Sequence, residues 1–190
     1  YKELLNFCTV DLSAFYFDIR KDALYCDPKE SEKRKSCIIV LNIILESLIK
    51  WFAPILSFTT EEIFTLINKD KKSIHLERFM EFPKSFENKD LDEKWDELKK
   101  IREICNISIE AKRAKKEIGS SLEADLTIHL NESLFKIVEN TDFSELCITS
   151  NAKIEKTVSD QITVETKKAE GEKCPVCWKI NKNACEKHSA

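Results

Sequence analysis

The chain has 190 residues, of which 42% are hydrophobic and 34% charged, a composition that is typical of a globular protein and excludes a disordered tail. Its 31 basic and 34 acidic side chains give a formal net charge of -3, so any surface that attracts a nucleic-acid backbone must be local. Only two glycines occur, which excludes a glycine-rich phosphate loop and favours a helical protein over a β-sandwich or barrel.

No stretch of the sequence predicts a membrane span or a secretory leader. The most apolar region, residues 36–67, never reaches about 18 uncharged residues in a row. The chain starts at Tyr1, already inside an apolar periodic stretch and without a basic segment ahead of an apolar run. We therefore expect a fragment of a longer cytoplasmic protein whose remaining part holds the chemistry.

The N-terminal part of the chain predicts three helices and an extended connection. Apolar side chains spaced by three and four residues predict a helix over residues 1–25, bent near Thr9. Residues 31–53 are apolar on nearly every side, which predicts the central buried helix of a bundle. Residues 59–62, Thr-Thr-Glu-Glu, have the pattern of a capping box at the start of a further helix. Residues 73–83 predict an extended connection along the bundle.

The C-terminal part predicts a long helix, a small α+β unit and a linker. Residues 91–118 have an amphipathic pattern, and Gly119 is placed to end this helix as its C-cap. Residues 122–130 alternate between apolar and polar, which predicts a half-buried strand. The remaining patterns are a helix over 132–138 capped by Asn131, strands at 146–149 and 161–166, and a polar linker at 167–173.

These elements together predict a mainly α protein in three parts. The first part, residues 1–118, is a helix bundle, and the second, residues 119–168, is a small α+β unit. The third, residues 169–190, is a metal-binding tail. Because such a short tail has no core of its own, we expect removal of the metal to unfold the tail while the helices stay nearly unchanged.

The eight cysteines fall into two groups. Five are scattered through helix-like or apolar stretches, which indicates buried thiols in a reducing compartment. The other three, together with His188, form two chelating pairs near the C-terminus, Cys174-x-x-Cys177 and Cys185-x-x-His188. Their four ligands suit a tetrahedral, structural Zn²⁺. Two alternatives remain open, a redox-active Cys-x-x-Cys pair and a site that has lost its metal.

Two groups of residues are candidates for binding RNA. Trp178 and Lys179 directly follow the second cysteine, and an aromatic ring beside lysines is a natural platform for an unpaired base. Trp178 could equally cover the metal site or pack on the neighbouring unit. The end of the long helix carries a basic cluster that could follow a phosphate backbone, although a solvated helix face is the commoner reason for such a run. This basic cluster consists of Lys112, Arg113, Lys115 and Lys116.

The sequence predicts no catalytic site. Neither His75 nor His129 has a nucleophile at a recognisable spacing, and the acidic pairs fall on exposed helical positions. Three function classes therefore remain: an RNA-binding module, a helical protein-interaction scaffold with a structural zinc site, and a thiol oxidoreductase that uses Cys174 and Cys177.

Five segments, taken in chain order, share one family pattern. They are LNFCTVDLSAFYFDIRKDALYCD (5–27), LIKWFAPILSFTTEEIF (48–64), LDEKWDELKKIRE (91–103), EAKRAKKEIGSSLEADLTI (110–128) and GEKCPVCWK (171–179). The chain resembles the C-terminal third of the bacterial isoleucyl-tRNA synthetases, which are class I enzymes. The valyl and leucyl enzymes share the helical bundle, but the cysteine cluster that follows IGSSLEA is typical of the isoleucyl family.

This resemblance implies a helical anticodon-binding domain, a junction domain and a zinc tail that helps to hold tRNA(Ile). The parent enzyme would activate isoleucine with ATP and transfer it to the tRNA, using catalytic and editing domains upstream of Tyr1. The fragment alone should therefore be inactive, and neither DNA nor a membrane is an implied partner.

The chain departs from the family pattern at two points in the tail. The family usually has a longer insert between the chelating pairs, and it uses cysteine at the fourth ligand position, where this chain has His188. Histidine is an accepted zinc ligand, so the implied metal site is retained. Among the implied tRNA contacts, only Trp178 matches the family closely.

Overall fold

A computed structural model describes residues 1–70, 72–185 and 187–188. The chain divides into two compact units, Tyr1–Cys26 with Asn88–Ala190, and Asp27–Glu87. The three-part division at 118/119 and 168/169 stays a prediction. No helix in these described ranges combines the length and the apolar character that a membrane crossing requires.

The first unit begins with one continuous helical stretch whose middle is π-helical. Helix α1 (Lys2–Asn6) leads into a π-helix (Phe7–Phe17) and then into α2 (Asp18–Tyr25), so the predicted helix over 1–25 is confirmed. The departure from α geometry begins at Phe7, close to the predicted bend. On the predicted apolar face Leu12, Ile19 and Ala23 are buried, whereas Leu5 near the start is exposed.

The second unit contains two helices and two short 3₁₀ turns. Helix α3 (Glu32–Phe52) begins where the Ser31 side chain accepts a hydrogen bond from the Arg34 amide, and α4 is Ser57–Ile67. The 3₁₀ turns are Ile74–Leu76 and Lys84–Phe86. A small core joins these elements, made of Ile49, Ala53, Phe64 and Ile74.

The expectation that residues 31–53 form a central buried helix is wrong. In α3 only Cys37, Ser47, Ile49 and Lys50 are buried, while apolar side chains such as Ile39 are exposed. The physical reason is that α3 is apolar on nearly every side, whereas α4 and the 3₁₀ turn at 74–76 cover only part of its surface. The buried Lys50 ammonium is balanced by Glu46, whose carboxylate lies 2.7 Å away.

The predicted capping box at residues 59–62 is also wrong. Helix α4 begins two residues earlier, and the Thr60 hydroxyl donates to the Leu56 carbonyl inside the helix. The Glu61 carboxylate instead accepts hydrogen bonds of 2.9 Å from the Ser73 hydroxyl and the Ile74 amide. The Glu61 side chain therefore bonds to residues twelve and thirteen positions further along the chain, and not to an amide at the start of α4.

Helix α5 (Lys89–Ala114) is the long amphipathic helix that the sequence predicts. The Asn88 side chain caps it by accepting from the Leu91 amide, and Leu98, Ile101, Cys105 and Ile109 are buried along one face. The predicted end at residue 118 is wrong, because the helix stops at Ala114.

Lys116, and not Gly119, provides the left-handed residue that ends α5. Its φ is 58°, and its amide donates to the Arg113 carbonyl while the Glu117 amide donates to the Lys112 carbonyl. These two bonds form a Schellman motif, which usually places glycine at this position. Gly119 instead donates its amide to the Glu123 carboxylate.

A three-stranded sheet packs on α5. Strand β1 (Ala124–Leu130) is central, with β2 (Asn151–Lys156) parallel on one side and β3 (Thr163–Lys168) antiparallel on the other. The predicted alternation in β1 is confirmed, since every second side chain from Ala124 to Leu130 is buried. One hydrophobic cluster contains residues of α2, α5 and β1, so it crosses the predicted 118/119 boundary.

The connections around this sheet differ from the predicted strands. Helix α6 (Glu132–Val138) is capped by Asn131 as predicted, but residues 146–149 are not a strand. A short helix α7 (Phe143–Leu146) occupies this region, because the Asp142 carboxylate accepts hydrogen bonds from the Ser144 and Glu145 amides. The third strand begins at Thr163 and continues into the predicted linker, to Lys168.

The five scattered cysteines differ in burial. Cys37, Cys105 and Cys147 are buried, as predicted, whereas Cys8 and Cys26 are only half-buried. A hydrogen bond with Cys147, together with burial, raises the pKa of the Cys105 thiol well above its ordinary value. The Cys105 thiol is therefore unreactive at neutral pH.

Candidate metal centre and nucleic-acid interface

A two-stranded hairpin carries the first chelating pair. Strands β4 (Glu172–Lys173) and β5 (Ile180–Asn181) are antiparallel, and Gly171 precedes them with a φ of 130°. A Cβ at Gly171 would lie 2.1 Å from the Asn181 carbonyl oxygen, so only glycine allows the two strands to approach in this way.

The loop between β4 and β5 is a tight turn that holds the first two sulfurs together. The Trp178 amide donates to the Cys174 carbonyl at 3.0 Å, and the Cys174 amide donates to the Lys179 carbonyl at 2.9 Å. Trp178 has a φ of 65°, a left-handed conformation that closes the turn. Both Cys174 and Cys177 are buried.

The four predicted metal ligands come together. The Sγ atoms of the three cysteines and one ring nitrogen of the histidine all lie within 4.8 Å of one another, so this group could hold a metal ion. The Nδ1 atom of His188 lies 3.5 Å from the sulfur of Cys174 and 3.3 Å from that of Cys185, and the sulfurs of Cys177 and Cys185 are 3.8 Å apart. No second group of three or more such ligands occurs in the described part of the chain.

The ligands have different electrostatic environments. Backbone amides of Cys177 and Val176 donate to the Cys174 sulfur and lower the pKa of this thiol to about 6. Burial raises the pKa of the Cys177 thiol to about 11. Cys174 is therefore a thiolate at neutral pH, and a bound cation would favour the thiolate of Cys177 as well.

A backbone carbonyl from the far end of the unit completes the histidine's surroundings. The Nε2 atom of His188 lies 3.0 Å from the carbonyl oxygen of Cys26, directly after α2, and this contact is the main cause that raises the histidine's pKa. Sequence reasoning missed Cys26 as a site residue, because its distance in sequence from His188 leaves no local signal.

The two residues after the second cysteine have different surroundings. Trp178 is 59% exposed, and the Lys173 ammonium lies 5.2 Å from the centre of its ring, a cation–π distance. Lys179 is half-buried, and its ammonium donates to the Ser144 hydroxyl at 3.2 Å. The exposed ring is available to a base, whereas Lys179 is engaged with α7.

The basic cluster at the end of α5 is partly neutralised. Lys112 pairs with Glu117 and Arg113 pairs with Glu110, each at 2.6 Å. Lys115 and Lys116 are exposed and, among the residues that the structure describes, neither has an acidic partner within ion-pair distance. Two of the four cations therefore remain for a phosphate backbone.

A polar cleft of about 430 Å³ adjoins the metal ligands. Its wall includes Cys177 and Cys185 together with Asp142, Ser150 and Asn151 from the α+β unit. The Ser150 hydroxyl also accepts from the Ile180 amide at 2.6 Å, so β5 is anchored to the sheet. None of these three polar residues was predicted as a site residue, since each lies in a segment whose pattern indicates only turns or strands.

Comparison with known proteins identifies the class. Residues 1–128 match the family of anticodon-binding domains of tRNA ligases, and the chain belongs to this family. Two similar curated proteins are both isoleucine–tRNA ligases. The protein from Pelagibacter ubique is 74% identical over 189 residues, which are 100% of this chain and 21% of that protein. The protein from Agrobacterium fabrum is 40% identical over 193 residues, 94% of this chain and 20% of that protein. The chain thus spans about a fifth of the length of these relatives.

Proposed function

We propose that the chain is the tRNA-binding C-terminal portion of an isoleucine–tRNA ligase and that it recognises the anticodon region of tRNA(Ile). The family match over residues 1–128 and the names of the relatives support this proposal. The whole enzyme would activate isoleucine with ATP and attach it to the tRNA in the cytoplasm. That chemistry belongs to catalytic and editing domains outside this chain, and these domains are its other partners.

The tail holds one structural Zn²⁺. Zinc bonds of about 2.3 Å to sulfur and about 2.0 Å to nitrogen in a tetrahedron place two sulfurs about 3.8 Å apart and a sulfur and a nitrogen about 3.5 Å apart. The distances of 3.8, 3.5 and 3.3 Å between the ligand atoms fit this geometry. Four protein ligands leave no position for a substrate, so the ion shapes the tail and performs no reaction.

The exposed Trp178 ring stacks on an unpaired base of the tRNA, and the cations at the end of α5 contact phosphates. This assignment is supported by the exposure of the ring and by the neighbouring Lys173, which favours a polyanion. Among the predicted cations, Lys115 and Lys116 contribute most, because Lys112 and Arg113 already have carboxylate partners. Lys179 acts mainly by fixing the tail to α7.

A tRNA-binding titration tests this function. The 190-residue chain should bind tRNA(Ile) more tightly than a non-cognate tRNA, and Trp178→Ala should weaken binding by about 1–3 kcal/mol. Trp178→Phe is the matched control, since it keeps an aromatic ring and should retain most of the affinity. The zinc content of both variants must equal that of the unmodified chain.

Three outcomes would contradict the proposal. Equal affinity for the two tRNAs would overturn the assigned partner. A zinc-loaded Trp178→Ala variant with unchanged affinity would mean that the ring has no role in binding. A metal-free preparation in which Cys174 and Cys177 form a reversible disulfide would favour the thiol oxidoreductase alternative.

A further inference from the structure

Cys26 contacts both halves of the candidate metal centre. Its carbonyl oxygen lies 3.0 Å from Nε2 of His188, which belongs to the second chelating pair. Its thiol lies 3.8 Å from the carbonyl oxygen of Val176, inside the first chelating pair. Cys26 directly follows α2, so the C-terminal end of α2 contacts both chelating pairs.

The contact with the carbonyl decides which histidine nitrogen can bind a metal. A neutral imidazole has one N–H, and the group that accepts this hydrogen fixes the tautomer. The Cys26 carbonyl accepts from Nε2, which leaves the lone pair of Nδ1 for the metal. Nδ1 is also the nitrogen that faces the sulfurs of Cys174 and Cys185.

The helix that presents this carbonyl is itself well held. The Cys26 amide donates to the Asp22 carbonyl at 2.8 Å, and Arg20 pairs with Glu145 at 2.8 Å, which ties α2 to α7. The carbonyl at the C-terminal end of a helix carries a partial negative charge, which strengthens its hydrogen bond to an imidazole N–H. The acceptor is therefore also held by contacts outside the tail.

We propose that the Cys26 carbonyl positions the His188 ring in the metal centre. Metal binding thereby clamps residues 22–26, at the end of α2, to the tail. The inference rests on the proposed metal site and not on tRNA binding. By linkage, whatever the contact adds to metal affinity, the metal adds equally to the stability of this turn. This differs from the sequence expectation that metal loss affects the tail alone.

Hydrogen exchange on the 190-residue chain, with one equivalent of Zn²⁺ or with a chelator, tests the clamp. We expect zinc to slow exchange of the amides in residues 22–26 by about tenfold or more, in addition to those of the tail. In His188→Cys, which retains four ligands but lacks the Nε2–H donor, zinc should slow exchange in the tail only. Val158→Ala is the control, because this side chain is fully exposed and lies outside the metal centre, and it should behave like the unmodified chain.

Co²⁺ absorption and ¹⁵N spectra identify the ligand atoms and the protonated nitrogen of His188. Absorption of the Co²⁺-loaded forms verifies three sulfurs and one nitrogen in the unmodified chain and four sulfurs in His188→Cys. Should that variant fail to fold, ¹⁵N spectra of the zinc-loaded unmodified chain provide the second readout, and they should show a protonated Nε2 on His188.

The results separate this inference from the proposed tRNA binding. Zinc that binds without slowing exchange at residues 22–26 would overturn the clamp, as would a full effect in His188→Cys or a protonated Nδ1. Absence of bound metal would overturn both the clamp and the zinc site. Loss of tRNA selectivity with the clamp intact would overturn the function alone.

Discussion

Among single residues, the left-handed backbone conformation of some non-glycine positions affects both stability and the proposed binding. Lys116, Asn140, Ile148 and Trp178 all have positive φ. This left-handed region costs a residue with a Cβ about 1–2 kcal/mol relative to glycine. Lys116 and Trp178 are also proposed tRNA contacts, so strain and function have to be separated by experiment.

Lys116→Gly should stabilise the chain and weaken tRNA binding. Relief of the left-handed strain, less the added freedom of glycine in the unfolded chain, should raise the free energy of unfolding by about 0.5–1 kcal/mol in urea titrations. Loss of one cation should reduce the slope of log affinity against log salt by about one. Lys116→Ala is the control: it should show the smaller salt slope without the gain in stability. An equal gain in both variants would contradict the strain argument.

At the scale of elements, local caps decide where the short helices lie. The Asp142 carboxylate accepts from two amides at the start of α7 and from the Ser144 hydroxyl. Partial burial opposes ionisation, but these hydrogen bonds and the nearby Lys179 lower the pKa of Asp142 below its ordinary value. The same residue thus positions α7 and faces the cleft beside the metal ligands.

Removal of this cap should cost stability in a pH-dependent way. Asp142→Ala should lower the free energy of unfolding by about 1 kcal/mol at pH 7. Because the folded pKa is the lower one, the carboxylate's contribution is complete above the unfolded pKa and disappears as pH falls through the folded pKa. Urea titrations from pH 7 to about pH 2 should therefore show the unmodified chain and Asp142→Asn converging as pH falls below the ordinary pKa of an Asp side chain. A difference that stays constant with pH would exclude the ionised cap.

The two glycines should respond differently to substitution. Gly171→Ala forces a Cβ against the Asn181 carbonyl, so the β4–β5 hairpin must shift and zinc affinity, measured by chelator competition, should fall by about tenfold or more. Gly119→Ala brings its Cβ only to 3.3 Å from the carboxylate of Glu123, and it should leave zinc affinity unchanged. Equal affinities in both variants would show that the hairpin does not organise the metal ligands.

At the scale of the whole molecule, α5 and the sheet share one hydrophobic core. Ile101 is fully buried in the cluster that also contains Leu126 and Ile128 of β1. Helix and sheet should therefore unfold together, even though a domain boundary is predicted between them.

Ile101→Ala should test this cooperativity. Truncation of a fully buried isoleucine costs about 2–5 kcal/mol. The helical circular dichroism and the amide resonances of β1 should therefore shift to lower urea concentration together. Phe58→Ala, at a side chain that is 93% exposed, should change the free energy of unfolding by less than about 0.5 kcal/mol. Separate transitions for helix and sheet would instead favour independent domains on either side of residue 118.

Features whose signals are local could be predicted from the amino-acid sequence. The periodicity of α5, the alternation of β1, the Asn131 cap and the two chelating pairs all depend on residues close together in the chain. The structure confirms the helix, the strand and the cap, and it brings the four chelating side chains within 4.8 Å of one another. The pattern at 146–149 misled because β-branched Ile148 favours a strand, whereas the cap at Asp142 starts a helix and Ile148 adopts a φ of 57°.

Features that join distant residues depend on the folded arrangement of the chain and could not be predicted. This arrangement directed Glu61 to the amide of Ile74, ended α5 at a left-handed lysine, left much of α3 exposed and brought the Cys26 carbonyl to His188. The physical reason is that a hydrogen bond or a buried face takes the partner that the fold brings near, and nothing in the local pattern of either residue specifies that partner.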